Sequence, residues 1–330
     1  MHSSRSLQKH SSTRNKEKIF GTGTMKITTD CIACNLKAAL MAIRELTTEE
    51  SVMRELVAEI MQIPAMRGHD WSITGSQLVE QISNRITTAT ENRDPFRRRK
   101  EQQNKKCLEL YPWLKSLVVE SEDSLFMAVN LAIIGNSIDP MGYLSSQDLE
   151  RAIQGVLENP VSRSSFMDLK GRLEQSSLVI YLGDNCGEIV FDKLLIETIK
   201  AHYEIEVAFV VRSVPTLNDA TMTDAELVGM SDTAFVMENG IDGPLPGTIL
   251  SRCSEQLRSL WTSADLVISK GGGNFDSLDE ENNITTPIYY MLMCKCIPYE
   301  NYFNVPVNSP ILSSAFSTAE CAGKTSSSSL

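Results

Sequence analysis

No apolar run in this chain of 330 residues approaches the roughly 20 that a membrane-crossing helix needs, so the bilayer is excluded as its solvent. Basic residues are in deficit: 31 Lys and Arg face 42 Asp and Glu, a net charge of -11, which disfavours wholesale nucleic-acid binding. An anionic ligand would need a local site, with a metal cation to offset the acidity. Histidine is scarce. His2 and His10 lie in a basic leader, His202 ends a helical pattern and His69 precedes Trp71 in a loop, so none is set as a nucleophile's partner or general base. Eighteen glycines are too few for collagen, and 42% hydrophobic residues are too many for a disordered chain. Eight cysteines spread over this length do not make a disulfide-stapled miniprotein. What remains is an ordinary globular composition, long enough for a sizeable core and two domains.

Two familiar fingerprints are also missing. The dinucleotide signature G-x-G-x-x-G is absent, because Gly183 and Gly187 are separated by three residues and Gly271-x-Gly273 runs on to Asp276. A phospho-aspartyl nucleophile has an acid two residues on, whereas Asp184 is followed by Asn185 and Cys186.

Residues 1–24 carry Arg5, Lys9, Arg14, Lys16 and Lys18 among serines, which predicts a disordered extension. It reads as a segment upstream of a natural start at Met25, with an organellar leader as the alternative, and it lacks the apolar stretch of about 7–15 residues of a secretory signal. Residues 317–330 form a low-complexity tail. Without an export signal, the cysteines read as thiols of a cytoplasmic protein.

The hydrophobic period changes along the chain. From Cys34 to Ile63 apolar residues recur every three or four positions, with a break near Thr47, which predicts a helix pair. Further helices are expected over Ser76–Thr88, from Asp94-Pro95 to an end near Tyr111-Pro112, and over Leu125–Ile134. After residue 175 short apolar runs open the segments SLVIYLGDNCGE, VAFVVRSVPTLNDA, TAFVMENGIDG and ADLVISKGGGNF, each stopping in Gly, Asn, Asp or Pro. Helix-length segments at Ile189–His202 and Thr248–Ser263 separate them. The prediction is a helical N-terminal domain over 25–174, then an α/β domain over 175–316 with three α/β/α layers around a mainly parallel sheet.

In such a sheet the residues just after the strands gather at one carboxyl edge, where ligands bind. Here those are Asp184, Asn185 and Glu188, then Asn218 and Asp219, then Lys270 with Gly271, Gly272, Gly273 and Asn274. Carboxylate and amide oxygens, with no imidazole or thiolate among them, favour a hard cation such as Mg²⁺ or Mn²⁺, with Co²⁺ and Ni²⁺ as further candidates. Glycines beside a lysine at a helix start suit a phosphate, although a plain strand-to-helix turn uses glycine too. Arg212, directly after the second strand, either clamps phosphate or pairs with an acid.

At these residues the chain resembles the DUF89 family of metal-dependent damage-control phosphatases, in the branch with an N-terminal Cys-x-x-Cys. The resemblance runs from Met25 to Leu312. It rests on Asp30-Cys31-Ile32-Ala33-Cys34, Asp94-Pro95-Phe96 with Lys100, Gly135-Asn136-Ser137-Ile138-Asp139, Asp184-Asn185-Cys186-Gly187-Glu188, Leu217-Asn218-Asp219-Ala220-Thr221 and Lys270-Gly271-Gly272-Gly273-Asn274-Phe275, with Lys295-Cys296 after an apolar helix. The resemblance implies a divalent-cation phosphatase acting on small phosphometabolites, including sugar phosphates and damaged or side-product esters. Its metal triad falls on Asp184, Asn185 and Asp219, and its phosphate segment on Lys270 to Asn274. Asn136 and Asp139 are expected opposite the metal. Pro140 and Cys186 depart from the commoner family pattern, in which an aromatic and a small residue stand there.

The expected mechanism is in-line water attack with no covalent intermediate, Glu188 or Asp139 serving as base. Two other classes stay open: a non-catalytic module that binds metal or a phosphate ligand, and a carboxyl methyltransferase, for which no methyl-donor loop is evident. Cys31 and Cys34 sit at a helix start, where a lowered thiol pKa favours metal or redox chemistry. A second metal there needs ligands from elsewhere, since a zinc site takes four. The sequence sets no oligomeric state.

Overall fold

The structure, a computed structural model, describes residues 25–137, 146–281 and 284–315. Among the described residues seven helices come first: α1 (Thr29–Leu46), α2 (Glu50–Ile60), α3 (Gly75–Thr90), α4 (Arg97–Glu120), α5 (Ser124–Gly135), α6 (Ser146–Glu158) and α7 (Arg163–Leu173). Then β1 (Leu178–Leu182), α8 (Glu188–His202), β2 (Glu206–Val211), α9 (Met222–Leu227), β3 (Phe235–Glu238), α10 (Glu255–Ser263), β4 (Leu266–Lys270) and α11 (Gly271–Leu278) alternate. The order closes with β5 (Ile288–Met293), α12 (Ile297–Phe303) and β6 (Pro310–Ala315). Among the described residues six strands lie in the order β3-β2-β1-β4-β5-β6, parallel except that β6 runs antiparallel to β5.

Alternation within the strands explains the layers, because successive side chains point to opposite faces. Val179 and Tyr181 face a core built from α4, α5, α7 and α8, while Ile180 and Leu182 face one that includes Leu257, Trp261 and Phe275 of α10 and α11. Helices α1 to α3 form a third cluster, joined by Phe96 and Leu217. Helices α4, α5 and α7 are therefore an outer layer of the sheet, and the break near residue 174 is a change of period inside one core.

Two expectations on secondary structure are overturned. α4 runs through Pro112 to Glu120 instead of ending there. Proline inside a helix costs about 3 kcal/mol. Yet Asn104, Cys107, Leu114 and Val118 stay on one buried face across it, and burying a Leu and a Val returns roughly 1.5–3 kcal/mol each. The apolar segment before Lys295 is a strand, β5, with all six residues buried. A strand covered on both faces shows no alternation to distinguish it from a buried helix.

The β1 to α8 connection leads to β2 on one side of β1, while β4 lies on the other. The carboxyl ends of β1 and β4 thus flank the switch point of the sheet, the position where open α/β sheets bind ligands.

Candidate active site

The loops after β1 and β2 are stapled together by their backbones. Ala220 N donates to Asp184 O at 2.8 Å, Cys186 N to Asn218 O at 2.8 Å and Arg212 N to Ala220 O at 3.0 Å, and Asn185 pairs with Asp219 as an isolated antiparallel bridge. Leu217 takes a positive φ of 44° so that its side chain can join the α1–α3 cluster while Asn218 and Asp219 turn inward, where each is 2% exposed. The third loop arrives at Gly271, φ +76°, where an added Cβ would overlap the Asp184 carboxylate. Asp184 thus rests against the start of α11, where unpaired N–H groups and the helix dipole favour an anion.

Arg212 joins both acids. Its Nε lies 2.7 Å from Asp219 Oδ2 and its Nη2 3.6 Å from Asp184 Oδ1, while Nη1 donates to Gly247 O and Asn274 Oδ1. Nη2 is buried and makes no hydrogen bond among the described residues. On the other side the amides of Asn136 and Asn185 each donate to Asp184 Oδ2, at 3.0 and 2.7 Å, and to Glu188 Oε2, at 3.0 and 2.9 Å. With its nitrogen held by two carboxylates, Asn185 turns its carbonyl oxygen away from them.

Asp184, Asp219, Glu188 and Asp192 are buried with Arg212 and Lys270, so four carboxylates face two cations. Burial drives the Asp184 carboxyl well above its ordinary range, and Asp219 and Glu188 push it further. Burial also raises Asp219, against the pull of Arg212. At Glu188 burial acts upward, but Lys270 and the two amides outweigh it and leave this carboxyl lowered. A donor set of two carboxylates and an amide oxygen, with excess negative charge around it, fits a hard divalent cation.

Several expected roles change. Lys270 is fully buried and its Nζ donates to Ala132 O, Glu188 Oε1 and Asp192 Oδ1 at 2.8, 2.7 and 2.6 Å, which spends all three of its protons. It is therefore not a phosphate ligand. Glu188, at 0% exposure with both oxygens accepting, is not placed to be a base. Asn274 stands behind Arg212, with its oxygen taken by Arg212 and Thr248 and its nitrogen by the carbonyls of Gly183 and Lys270. Gly272 and Gly273 admit Tyr299 and the Pro246 carbonyl, so of the glycine triplet only Gly271 borders the acids. Asn136 is buried and holds Asp184. Asp139 and Pro140 lie outside the described residues.

The Cys31 and Cys34 pair is not joined by further ligands: among the described residues no three or more His, Cys, Asp or Glu side chains are arranged to hold a metal. The triad of Asp184, Asn185 and Asp219 contains only two residues of those types. The Cys34 thiol is raised, by desolvation first and by Cys31 second, rather than lowered.

Sequence reasoning missed Asp192 and gave Lys100 no role. The signal for Asp192 was a carboxylate among the apolar residues of α8, between Phe191 and Leu194. Lys100 is 2% exposed and pairs with Asp94 at 2.8 Å and Asp224 at 3.5 Å. Asn104, one turn on, donates to Asp224 Oδ1 and accepts from Gly187 N, which ties α4 to the loop that carries Asp184.

The fold and the site together define an α/β protein with a buried acid and amide cluster at the switch point of a mainly parallel sheet. The model of the damage-control phosphatase ARMT1-like domain matches residues 27–309, and the chain belongs to that family. It is 31% identical to the uncharacterized protein MJ0202 of Methanocaldococcus jannaschii, over 89% of this chain and 97% of that one. It is 29% identical to a damage-control phosphatase of Archaeoglobus fulgidus, over 86% of this chain and 97% of the relative. The crystal structure of the DUF89 family protein PH1575 of Pyrococcus horikoshii superposes with a TM-score of 0.77 at 25% identity, covering 87% of this chain and 98% of that one. PH1575 carries the name damage-control phosphatase. These relatives support a phosphatase role for the chain. No helix among the described residues is long and apolar enough to cross a membrane.

Proposed function

We propose that the chain is a divalent-metal-dependent phosphatase that hydrolyses small phosphorylated metabolites, such as sugar phosphates or damaged and side-product esters. The observation that carries this reading is the stapling of the Asp184-Asn185 and Asp219 loops beside an arginine whose Nη2 is buried without a hydrogen-bond partner among the described residues. Asp184, Asn185 and Asp219 would hold the ion, Mg²⁺ or Mn²⁺ by the chemistry of the donors. When bound, it would supply positive charge against the negative charge on the phosphoryl oxygens.

The remaining work falls to this chain's own groups. Arg212 Nη2 is the donor available to a phosphate oxygen, and the start of α11 at Gly271 offers amide N–H groups and a positive dipole end to the same ester head. Lys270 acts from behind, through Glu188, and not as a cradle. Asp139 is the base candidate that remains for in-line attack by water. Phosphoryl transfer needs positioning and charge stabilisation more than covalent help, which accords with a site that has no nucleophile set beside a base among the described residues.

The test is a phosphometabolite panel assayed for released phosphate with Mg²⁺, Mn²⁺, Co²⁺ and Ni²⁺, each against a chelated control. Ion-dependent release from at least one small ester is expected. Saturable ester binding without any release, whatever the ion, would make the chain a binding module instead.

A further inference from the structure

Lys270 ends β4 at the centre of the sheet with no exposed surface, and its three contacts belong to α5 and α8. Asp192 lies four residues beyond Glu188, so both carboxylates project from the same side of α8 and share the one ammonium. From β1, Tyr181 donates its hydroxyl to the oxygen of Asp192 that also accepts from Lys270, at 2.7 Å. At the far end, Glu188 Oε2 accepts from the Asn185 amide at 2.9 Å. The contacts are continuous from Tyr181 through Asp192, Lys270 and Glu188 to Asn185, over β1, α8, β4 and the loop between β1 and α8.

Stability alone is a poor reason for this arrangement. Buried ions keep much of their desolvation cost even when paired, and well-packed apolar residues of similar volume often serve as well or better. Asp192 Oδ2 is moreover buried with no hydrogen bond among the described residues, a further cost of about 1–3 kcal/mol. Direction is what the chain of contacts supplies. An asparagine side chain is nearly symmetric in shape, so whether oxygen or nitrogen faces an ion depends on what holds the other end. Here Glu188 holds the nitrogen together with Asp184, and Lys270 holds Glu188 while it is itself held by Asp192.

We infer that Asp192 and Tyr181 are positioning residues for the ion site: they fix Lys270, Lys270 fixes Glu188, and Glu188 turns the Asn185 carbonyl oxygen toward the ion. This rests on the metal reading above and adds two residues that contact neither ion nor ester. Outlying partners of this kind are worth about 10–100-fold in metal affinity.

Calorimetric titration of Mn²⁺ into the chain, without substrate, tests it. Asp192→Asn is expected to weaken Mn²⁺ binding by about 10–100-fold, and Tyr181→Phe, which removes one hydroxyl and keeps the ring, by a few-fold. Circular dichroism checks the fold of each, and should Asp192→Asn not fold, Tyr181→Phe decides. A purely structural role would lower the Tm of Tyr181→Phe and leave its Mn²⁺ affinity at the wild-type value; that result overturns the inference while the metal reading stands. Wild-type protein that binds no Mn²⁺ overturns both.

Discussion

The Asp184 carboxylate packs directly on Gly271; the two residues follow the neighbouring strands β1 and β4 and are 87 positions apart. Any side chain at 271 would displace a proposed ion ligand, and the positive φ there adds about 1–2 kcal/mol of strain for a non-glycine residue. Gly271→Ala is expected to cut turnover by at least about 100-fold and to lower the Tm by several degrees. Activity within a few-fold of wild type would show that Asp184 does not need its present place.

Asp219 is the acid that Arg212 grips at 2.7 Å. Asp219→Ala removes a proposed ion ligand and frees the guanidinium, so hydrolysis of p-nitrophenyl phosphate should fall by about 1,000-fold or more, equivalent to roughly 4 kcal/mol of lost transition-state stabilisation. Near-wild-type turnover by this variant refutes the ligand assignment.

Lys100 carries the link between α4 and the loops of the site through the buried carboxylate of Asp224, and also pairs with the half-buried Asp94. Lys100→Ala leaves Asp94 and Asp224 without their cation, and breaking a buried pair in this way costs about 3–5 kcal/mol. Urea denaturation should show that loss as a lower midpoint with little change in slope. A loss below about 1 kcal/mol would mean that water replaces the ammonium.

The Asp192 carboxyl is pushed up to about 7, raised by burial and drawn back by Lys270. Its protonated form favours the fold, so its contribution is complete below the ordinary carboxylate pKa near 4 and is lost as pH rises through about 7. The Tm of chelator-treated protein should therefore fall between about pH 4 and about pH 7. In Asp192→Asn that fall should be shallower; an equal or steeper fall would remove Asp192 as its source.

The secondary structure that could be read from the sequence is the part that local rules govern. The spacing of Leu36, Ala39, Leu40 and Ile43 marks α1, and the apolar run before Asp184 marks β1, because each pattern repeats the geometry of its own backbone. The end of α4 and the identity of β5 were not readable in this way. What carries the helix past Pro112 is the burial of Leu114 and Val118 against other elements, and what makes Ile288–Met293 a strand is its place between β4 and β6.

By itself the sequence determined that acids, amides and a glycine turn collect at the carboxyl edge of an α/β sheet, since strand length, turn residues and strand order along the chain are local matters. Only the tertiary structure decided which of them face the site and which stand behind it. Lys270 and Glu188 are 82 residues apart, and Asp192 enters only because α8 lays one face along β1 and β4. A charged side chain after a strand can open onto solvent or be enclosed by the next layer of helices. For Lys270 the packing of α5 and α8 chose enclosure, which turns an expected phosphate ligand into the support of a neighbouring carboxylate.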